Sequence, residues 1–372
     1  MRAPPAAKPD AAITRVSARA YTIPTDKPEA DGTFAWESTT LVVVHAEADG
    51  ASGLGYTYTH GSAAALINSQ LAEAVHGRDA LDPPGAWRAL ERSVRNMGRQ
   101  GIAATAISAV DTALWDLKCK LLDVPLCRLL GRYRDAVPIY GSGGFTTYSD
   151  ADLQRQLGGW VSREGCGWVK MKIGSEPERD LHRVEVAKSA IGDRTLFVDA
   201  NGAYRVEQAL QFADRFAAQG VAWFEEPVSS DDLAGLQLVR QHAPAGMEIA
   251  AGEYGYDIDY FRRMLETAAV GVLQADITRC GGVTGFLRVA ALCEAHHVDL
   301  SGHCAPALHL HAACAAPRFR HLEWFHDHVR IEHMLFDGAP QPEHGVIRPD
   351  LGRSGFGLVF KTQDAERFAS RH

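Results

Sequence analysis

Seven ionisable residues recur along the second half of this chain at intervals of 20 to 28 residues: Lys172, Asp199, Glu225, Glu253, Asp276, His303 and Glu323. Each lies near the C-terminal end of a short apolar run. Asp199, Glu225 and Glu253 are carboxylates on three successive runs. If those runs are adjacent parallel strands, about 4.8 Å apart, their tips can share one ion. Three hard oxygen ligands, with room left for water and substrate, suit Mg²⁺. Without a cation, clustered carboxylates raise one another's pKa. The competing reading is a structural salt-bridge cluster, but the neighbouring sequence supplies few cations at these strand ends. Glu226 follows Glu225 directly, and strand alternation turns it to the other face.

Lys170 and Lys172 are two apart on one run and face the same side. Two lysines beside a divalent cation suppress each other's protonation, and a lysine with lowered pKa serves as a base near neutral pH. The alternative is a solvated pair at a strand edge. Asp276 and His303 end consecutive runs. A carboxylate beside an imidazole fixes its tautomer and raises its basicity, giving a second acid/base candidate across the mouth from Lys172. His309, His311, His321, His326, His328 and His333 have no metal-ligand spacing and read as packing or surface residues.

Eight apolar runs carry these residues: VPIYGSG, WVKMKIG, TLFVDAN, VAWFEEP, EIAAGE, GVLQADI, VDLSGH and RHLEWF, alternating with helical stretches from Val137 onward. Strand–helix alternation over about 190 residues predicts parallel βαβ units closing into a barrel, whose strand ends converge on one mouth. An open doubly wound sheet would not bring all eight ends together. Before the barrel, residues 13–60 read as strands rich in β-branched residues. Residues 62–131 carry helical periodicity, with Gly77 and Gly131 as helix stops. That order predicts an α+β unit. The division expected is a disordered tail over 1–12, an α+β capping domain over 13–135, a barrel over 136–333, and an irregular segment over 334–372 returning to the cap.

The 372 residues are 46% hydrophobic and 23% charged, a balance that excludes a disordered or coiled-coil chain. The net charge of −8 argues against nucleic acid as a partner. No apolar run is long enough to span a membrane. The seven cysteines (Cys119, Cys127, Cys166, Cys280, Cys293, Cys304, Cys314) include no CxxC pair and read as reduced, buried thiols. MRAPPAAKPDAA has no apolar core for a signal peptide, so a cytoplasmic protein is expected.

Taken together, the chain resembles the enolase superfamily, and within it the mandelate racemase subgroup. The carrying residues are Lys170-Met171-Lys172, Asp199-Ala200-Asn201, Glu225-Glu226-Pro227, Gly252-Glu253, Asp276 with Gly281-Gly282-Val283, the Asp276/His303 dyad, and Glu323-Trp324. VDTALWDLKCKLLDVPLCRLLG is similar to the helix closing that family's capping domain. The resemblance spans about residues 13–361. It implies an α/β fold, a modified (β/α)7β TIM-type barrel under an α+β cap. It implies Mg²⁺ on Asp199, Glu225 and Glu253, with Lys172 as one base and His303, oriented by Asp276, as the other. Lys170 would hold the substrate carboxylate and Glu323 would hydrogen-bond to it, with Asn201 as a further contact; Arg279, just past the sixth strand, reads as a contact to a second carboxylate or a hydroxyl, or as a surface arginine.

That chemistry suits loss of a proton α to a carboxylate, which requires stabilising a dianionic enediolate. With two bases the outcome is either loss of a β-hydroxyl or, as the alternative in the same fold, racemisation, epimerisation or cycloisomerisation. Relatives of this type are often acid-sugar dehydratases, so an aldonic or aldaric acid is the expected substrate, going to a 2-keto-3-deoxy acid. A homo-oligomer is expected. Family substrates are selected by two cap loops. Here the first, Thr25 to Glu37, carries Asp26, Lys27, Glu29 and Asp31, and the second carries Tyr56, Tyr58 and His60. A polar lid fits a polyhydroxylated acid, and the alternative is that these charges face solvent. Tyr254 after Glu253, and Arg279-Cys280 before the double glycine, depart from the racemase pattern and argue against mandelate.

Overall fold

The computed structural model describes residues 10–370. The chain opens with an antiparallel sheet in the order β1 (Ile13–Ala30), β2 (Ala35–Ala48), β3 (Ala51–Tyr58). The central run Leu41-Val42-Val43-Val44 is wholly apolar because both faces of the sheet are covered. Val42 and Val44 pack against the cap helices, while Leu41 and Val43 join the core shared with the barrel. Residues 1–9 of the expected disordered tail lie outside the described residues. Residues 10–12 are docked: Ala12 bridges Asp79, and the Ala11 carbonyl accepts a hydrogen bond from the Ala80 amide at 2.8 Å.

Both expected lid loops are largely strand. β1 continues through Pro24 and Pro28 to Ala30, with a break in register between Pro24 and Glu29. The prolines lack an N–H and interrupt the ladder without ending it. The turn is confined to residues 31–34, where Asp31 Oδ1 accepts from the Thr33 and Phe34 amides at 2.6 and 2.8 Å. Tyr56 and Tyr58 lie on β3 and are buried.

The helix Ile102–Leu121 fastens cap to barrel. Its Asp111 accepts from the Thr284 amide (2.9 Å) and hydroxyl (2.6 Å) at the start of the barrel helix Gly282–Ala295. Asp116 accepts from the Leu54 and Phe356 amides. β3 lies so close to this helix that a Cβ at Gly55 would sit 2.3 Å from the Ala109 carbonyl oxygen and one at Gly53 2.1 Å from that of Ala113. Gly55→Ala should therefore cost about 3 kcal/mol, the upper end for overpacking a close interface, read by urea unfolding. A loss below about 1 kcal/mol would mean the sheet can shift off the helix.

The barrel strands are β4 (Val137–Gly143), β5 (Trp168–Lys172), β6 (Thr195–Asp199), β7 (Val221–Glu225), β8 (Glu248–Ala251), β9 (Val272–Ala275), β10 (Asp299–Gly302) and β11 (Phe319–Phe325). They pair in sequence order, and β11 pairs back with β4 to close the ring. Seven helices connect them. The helix His326–Leu335 after β11 leans on the cap, where Glu332 accepts from the Tyr56 hydroxyl at 2.5 Å. The last segment touches both units. Val346–Ile347 adds antiparallel to β4, Arg19 forks onto Glu366 at 2.7 Å, and the Ser370 amide donates to the Ala20 carbonyl.

Candidate active site

Strand alternation builds the site. On β6, Phe197 faces the barrel axis and so does Asp199 two residues on. On β7 the pair is Trp223 and Glu225, and on β11 it is His321 and Glu323. The apolar members of these pairs lie in an inner cluster with Tyr140, Ala250 and Val272 that plugs the barrel below the site. Met171 and Val169 alternate outward into the helix layer, so Lys170 and Lys172 point inward. Glu253 needs a further device, since alternation from Ala250 reaches residue 252. Gly252 at φ +136, with the Gln274 carbonyl 2.0 Å from where a Cβ would sit, redirects the chain so that Glu253 turns in.

All seven spaced residues are buried, and one network joins them. Lys170 Nζ lies 2.5 Å from Glu225 Oε1, 2.8 Å from Glu323 Oε1 and 3.4 Å from Asp199 Oδ2. Lys172 Nζ lies 2.5 Å from Asp199 Oδ2. Two expectations change. The carboxylates do have cations beside them, supplied by the neighbouring strand β5. The lysines are also not acidified in this arrangement. Burial pulls both down, but Glu225 and Glu323 hold Lys170 well above its ordinary pKa, and Asp199 does the same for Lys172. Mutual repulsion of the lysines is the smaller effect because each has a carboxylate in contact.

Six carboxyl groups (Asp199, Glu225, Glu226, Glu253, Asp276, Glu323) nevertheless face three permanent cations (Lys170, Lys172, Arg279) in this buried volume. One oxygen each of Asp199, Glu225 and Glu253 lies within 4.8 Å of the others. Glu253 Oε2 is 3.2 Å from His303 Nε2 but has no aligned hydrogen-bond donor. Burial and Asp199 push Glu225 up to about 8. A surplus of buried carboxylate and an unpartnered oxygen are what a hard divalent cation would satisfy, so the donor set fits Mg²⁺. Glu226 does not turn away as alternation predicts. It takes φ +37 just past the end of β7 and is buried against the cluster, where burial and then Glu253 hold its carboxyl well above the ordinary range.

His303 Nδ1 lies 2.8 Å from Asp276 Oδ2. Asp276 Oδ1 accepts from the Thr278 amide and hydroxyl, both at 2.7 Å, which fixes the carboxylate that fixes the ring. Sequence reasoning missed Ser142 and Cys304. Ser142 donates to Glu323 Oε1 at 2.5 Å, and the Cys304 amide donates to Oε2 at 3.1 Å. Ser142 was legible, two residues beyond inward-facing Tyr140. Cys304 was not, because it reaches Glu323 by a left-handed turn at φ +52. All seven cysteines are buried and free.

Lys172, Asn201, Glu253, Arg279, His303 and Cys304 open onto one cavity of about 500 Å³ between barrel and cap. Lys170 and Glu323 lie beneath its floor. Arg279 packs over Tyr254 and reaches the Glu253 carbonyl at 3.1 Å and Asp276 Oδ2 at 3.5 Å. His328, expected to be packing or surface, lines the cavity, stacked on Tyr58 at 3.5 Å between ring centroids. Burial lowers it to about 3, so the ring is neutral.

The charged lid divides: Asp26 and Lys27 contact barrel residues while staying about half exposed to solvent, and Glu29 is buried. Asp26 contacts His326 Nε2 at 3.0 Å, Lys27 contacts Asp152 at 2.5 Å, and buried Glu29 accepts from Trp36 Nε1 at 2.8 Å. Of the four, Asp31 lines the cavity, beside Phe34 and Trp36. Burial, then Asp327, pushes Glu29 up to about 9 from an ordinary 4.5. A carboxyl raised on folding keeps a proton the unfolded chain has released, so its share of stability falls as pH rises from about 4.5 to about 9. Glu29→Gln should flatten the decline in unfolding free energy between pH 6 and 9. Equal declines in variant and wild type would remove Glu29 as its source.

Two family models match the chain: "Mandelate racemase / muconate lactonizing enzyme, N-terminal domain" over residues 16–131 and "Enolase C-terminal domain-like" over residues 152–365. The chain belongs to the enolase superfamily, in the mandelate racemase subgroup. A mandelate racemase/muconate lactonizing enzyme-like protein from Rubrobacter xylanophilus superposes with a TM-score of 0.94 at 50% identity, covering 96% of this chain and all of that one. A 3,6-anhydro-alpha-L-galactonate cycloisomerase of Streptomyces coelicolor is 35% identical over 90% of this chain and 96% of its own. The L-talarate/galactarate dehydratase of Salmonella typhimurium is 33% identical over 78% of this chain and 74% of its own. A mutant of the latter, crystallised with Mg and L-glucarate, superposes with a TM-score of 0.89 at 26% identity, covering all of this chain and 95% of that one. The cycloisomerase and the dehydratase are by name enzymes of sugar acids. Among the described residues, no helix is long and apolar enough to cross a membrane.

Proposed function

We propose that this enzyme eliminates a β-oxygen from a sugar acid after removing the proton α to its carboxylate, giving a 2-keto-3-deoxy acid. The observation that carries the reading is the junction, in one cavity, of a buried three-carboxylate cluster with two separately held acid/base groups, Lys172 and His303. Mg²⁺ held by Asp199, Glu225 and Glu253 would supply the positive charge that makes the α-proton removable. Lys170 and Glu323, locked to each other at 2.8 Å, fix the floor on which the substrate carboxylate rests. Ser142 and the Cys304 amide hold Glu323 in place.

Lys172 takes the α-proton as the free amine, a form it would gain once a cation on Asp199 draws off the carboxylate that now holds its proton. The C–H electron pair becomes the new C=C bond, and the β-carbon–oxygen bond breaks. His303, charged and steadied by Asp276, gives that oxygen its proton. The enol then ketonises. Asn201 and Arg279 meet substrate hydroxyls. A β-oxygen that is a free hydroxyl leaves as water. One that belongs to a ring ether stays attached and the ring opens, so the product is an isomer. Dehydration and this form of cycloisomerisation are thus one elimination with a free or tethered leaving group. The identity with a cycloisomerase over nearly its whole length favours keeping the tethered form as the second reading.

The test is incubation with Mg²⁺ and a panel of aldonates, aldarates and anhydro acids in D₂O. A 2-keto-3-deoxy product lighter than substrate by one water supports dehydration, and an isomeric 2-keto-3-deoxy product supports ring opening. Deuterium at C2 with all oxygens retained would mean epimerisation and overturn the elimination.

A further inference from the structure

The cavity is chemically lopsided, and that lopsidedness names a substrate class. Among the described residues lining it, Lys172 and Arg279 are the only lysine and arginine, and both stand at the floor. Lys172 is paired with Asp199, and Arg279 is shared between Glu253 and Asp276, 3.6 and 3.5 Å from their carboxylate oxygens. The lid wall presents Phe34 and Trp36, stacked at 6.2 Å, with Thr39 and the His60 ring, while the bordering Thr40 and Thr59 hydroxyls are bonded to Thr22 and Thr105. Its one formal charge is Asp31. Oδ1 of Asp31 accepts from the Thr33 and Phe34 amides, which fixes its carboxylate at the cavity rim.

A carboxylate at the far end of a substrate would meet that wall without a bidentate cation to receive it and with a like charge facing it, the arrangement by which a site rejects a competitor. Hydroxyls and the C–H face of a sugar ring would meet threonine hydroxyls and aromatic rings, which suit them. We infer that the site selects acids with a single carboxylate, aldonates or their anhydro forms, against aldarates, and that Asp31 is a specificity-determining residue. This rests on the elimination reading above and narrows it.

The test uses the Mg²⁺-loaded wild-type enzyme with matched pairs, D-galactonate against galactarate and D-gluconate against D-glucarate, together with 3,6-anhydro-L-galactonate. Turnover and binding by calorimetry are both read. The expected result is at least a tenfold preference for monocarboxylates, with Asp31→Lys and Thr39→Arg each shifting the ratio toward aldarates by about tenfold, chiefly through KM. Thr39→Arg leaves the Asp31 turn intact and so guards against a misfolded lid. An aldarate bound or turned over as well as its aldonate would overturn the inference and leave the elimination standing, as would a ratio unmoved by both variants. No binding and no exchange with any acid would sink both.

Discussion

Lys172→Ala and His303→Asn should each lower turnover by about 10³-fold or more while leaving Mg²⁺ affinity within a few-fold, because general acid–base groups contribute on the order of 10²–10⁴ and these two act in one sequence of proton transfers. The double variant should be little worse than either single one, as expected for residues that work as a unit. Asp276→Asn tests the arrangement more finely. It keeps the shape beside His303 Nδ1 but replaces an acceptor-only carboxylate with an amide, so it should lose about 10²–10⁴ in kcat with KM nearly unchanged. Full activity in Asp276→Asn would show that the 2.8 Å contact does not set the working state of His303. Unchanged turnover in Lys172→Ala or His303→Asn would remove that residue from the chemistry.

The second large effect concerns the carboxylate cluster. Chelation of Mg²⁺ should abolish activity and also destabilise the fold, because burial and neighbouring carboxylates disfavour the ionised forms of Glu225 and Glu226. A ligand that binds the folded state alone, at one hundred times its Kd, adds about 2.7 kcal/mol. In a chain of this length that is about 3.5 °C in melting temperature. Glu253→Gln should weaken Mg²⁺ binding by at least tenfold and shrink this shift. A metal-independent melting temperature in the wild type would disconnect the cluster from any cation.

Much of this was legible without coordinates because strand periodicity is rigid. Once TLFVD and VAWFE are strands, Asp199 and Glu225 must share a face with Phe197 and Trp223, and closure of the ring places them together. The residues that escaped lie where the backbone leaves that periodicity. Glu226 rotates back toward the cluster at φ +37, Cys304 reaches Glu323 through a left-handed turn, and His328 enters the cavity from a helix beyond the last strand. Each position depends on a local conformation or a long-range docking for which side-chain type gives no signal.

The sequence by itself determined the barrel, the inventory of chemical groups, and the order in which strands deliver them. Those follow from short-range rules of alternation and spacing. Only the tertiary structure decided how the charges are spent. It paired the lysines with the carboxylates, gave Asp26 and Lys27 of the lid partners on the barrel, buried Glu29 against Trp36, and left Asp31 to face the cavity. The reason is physical. A charged side chain's partner is chosen by what comes within about 4 Å of it once the chain is folded, and those neighbours are up to 300 residues away in the chain, as Asp26 and His326 are.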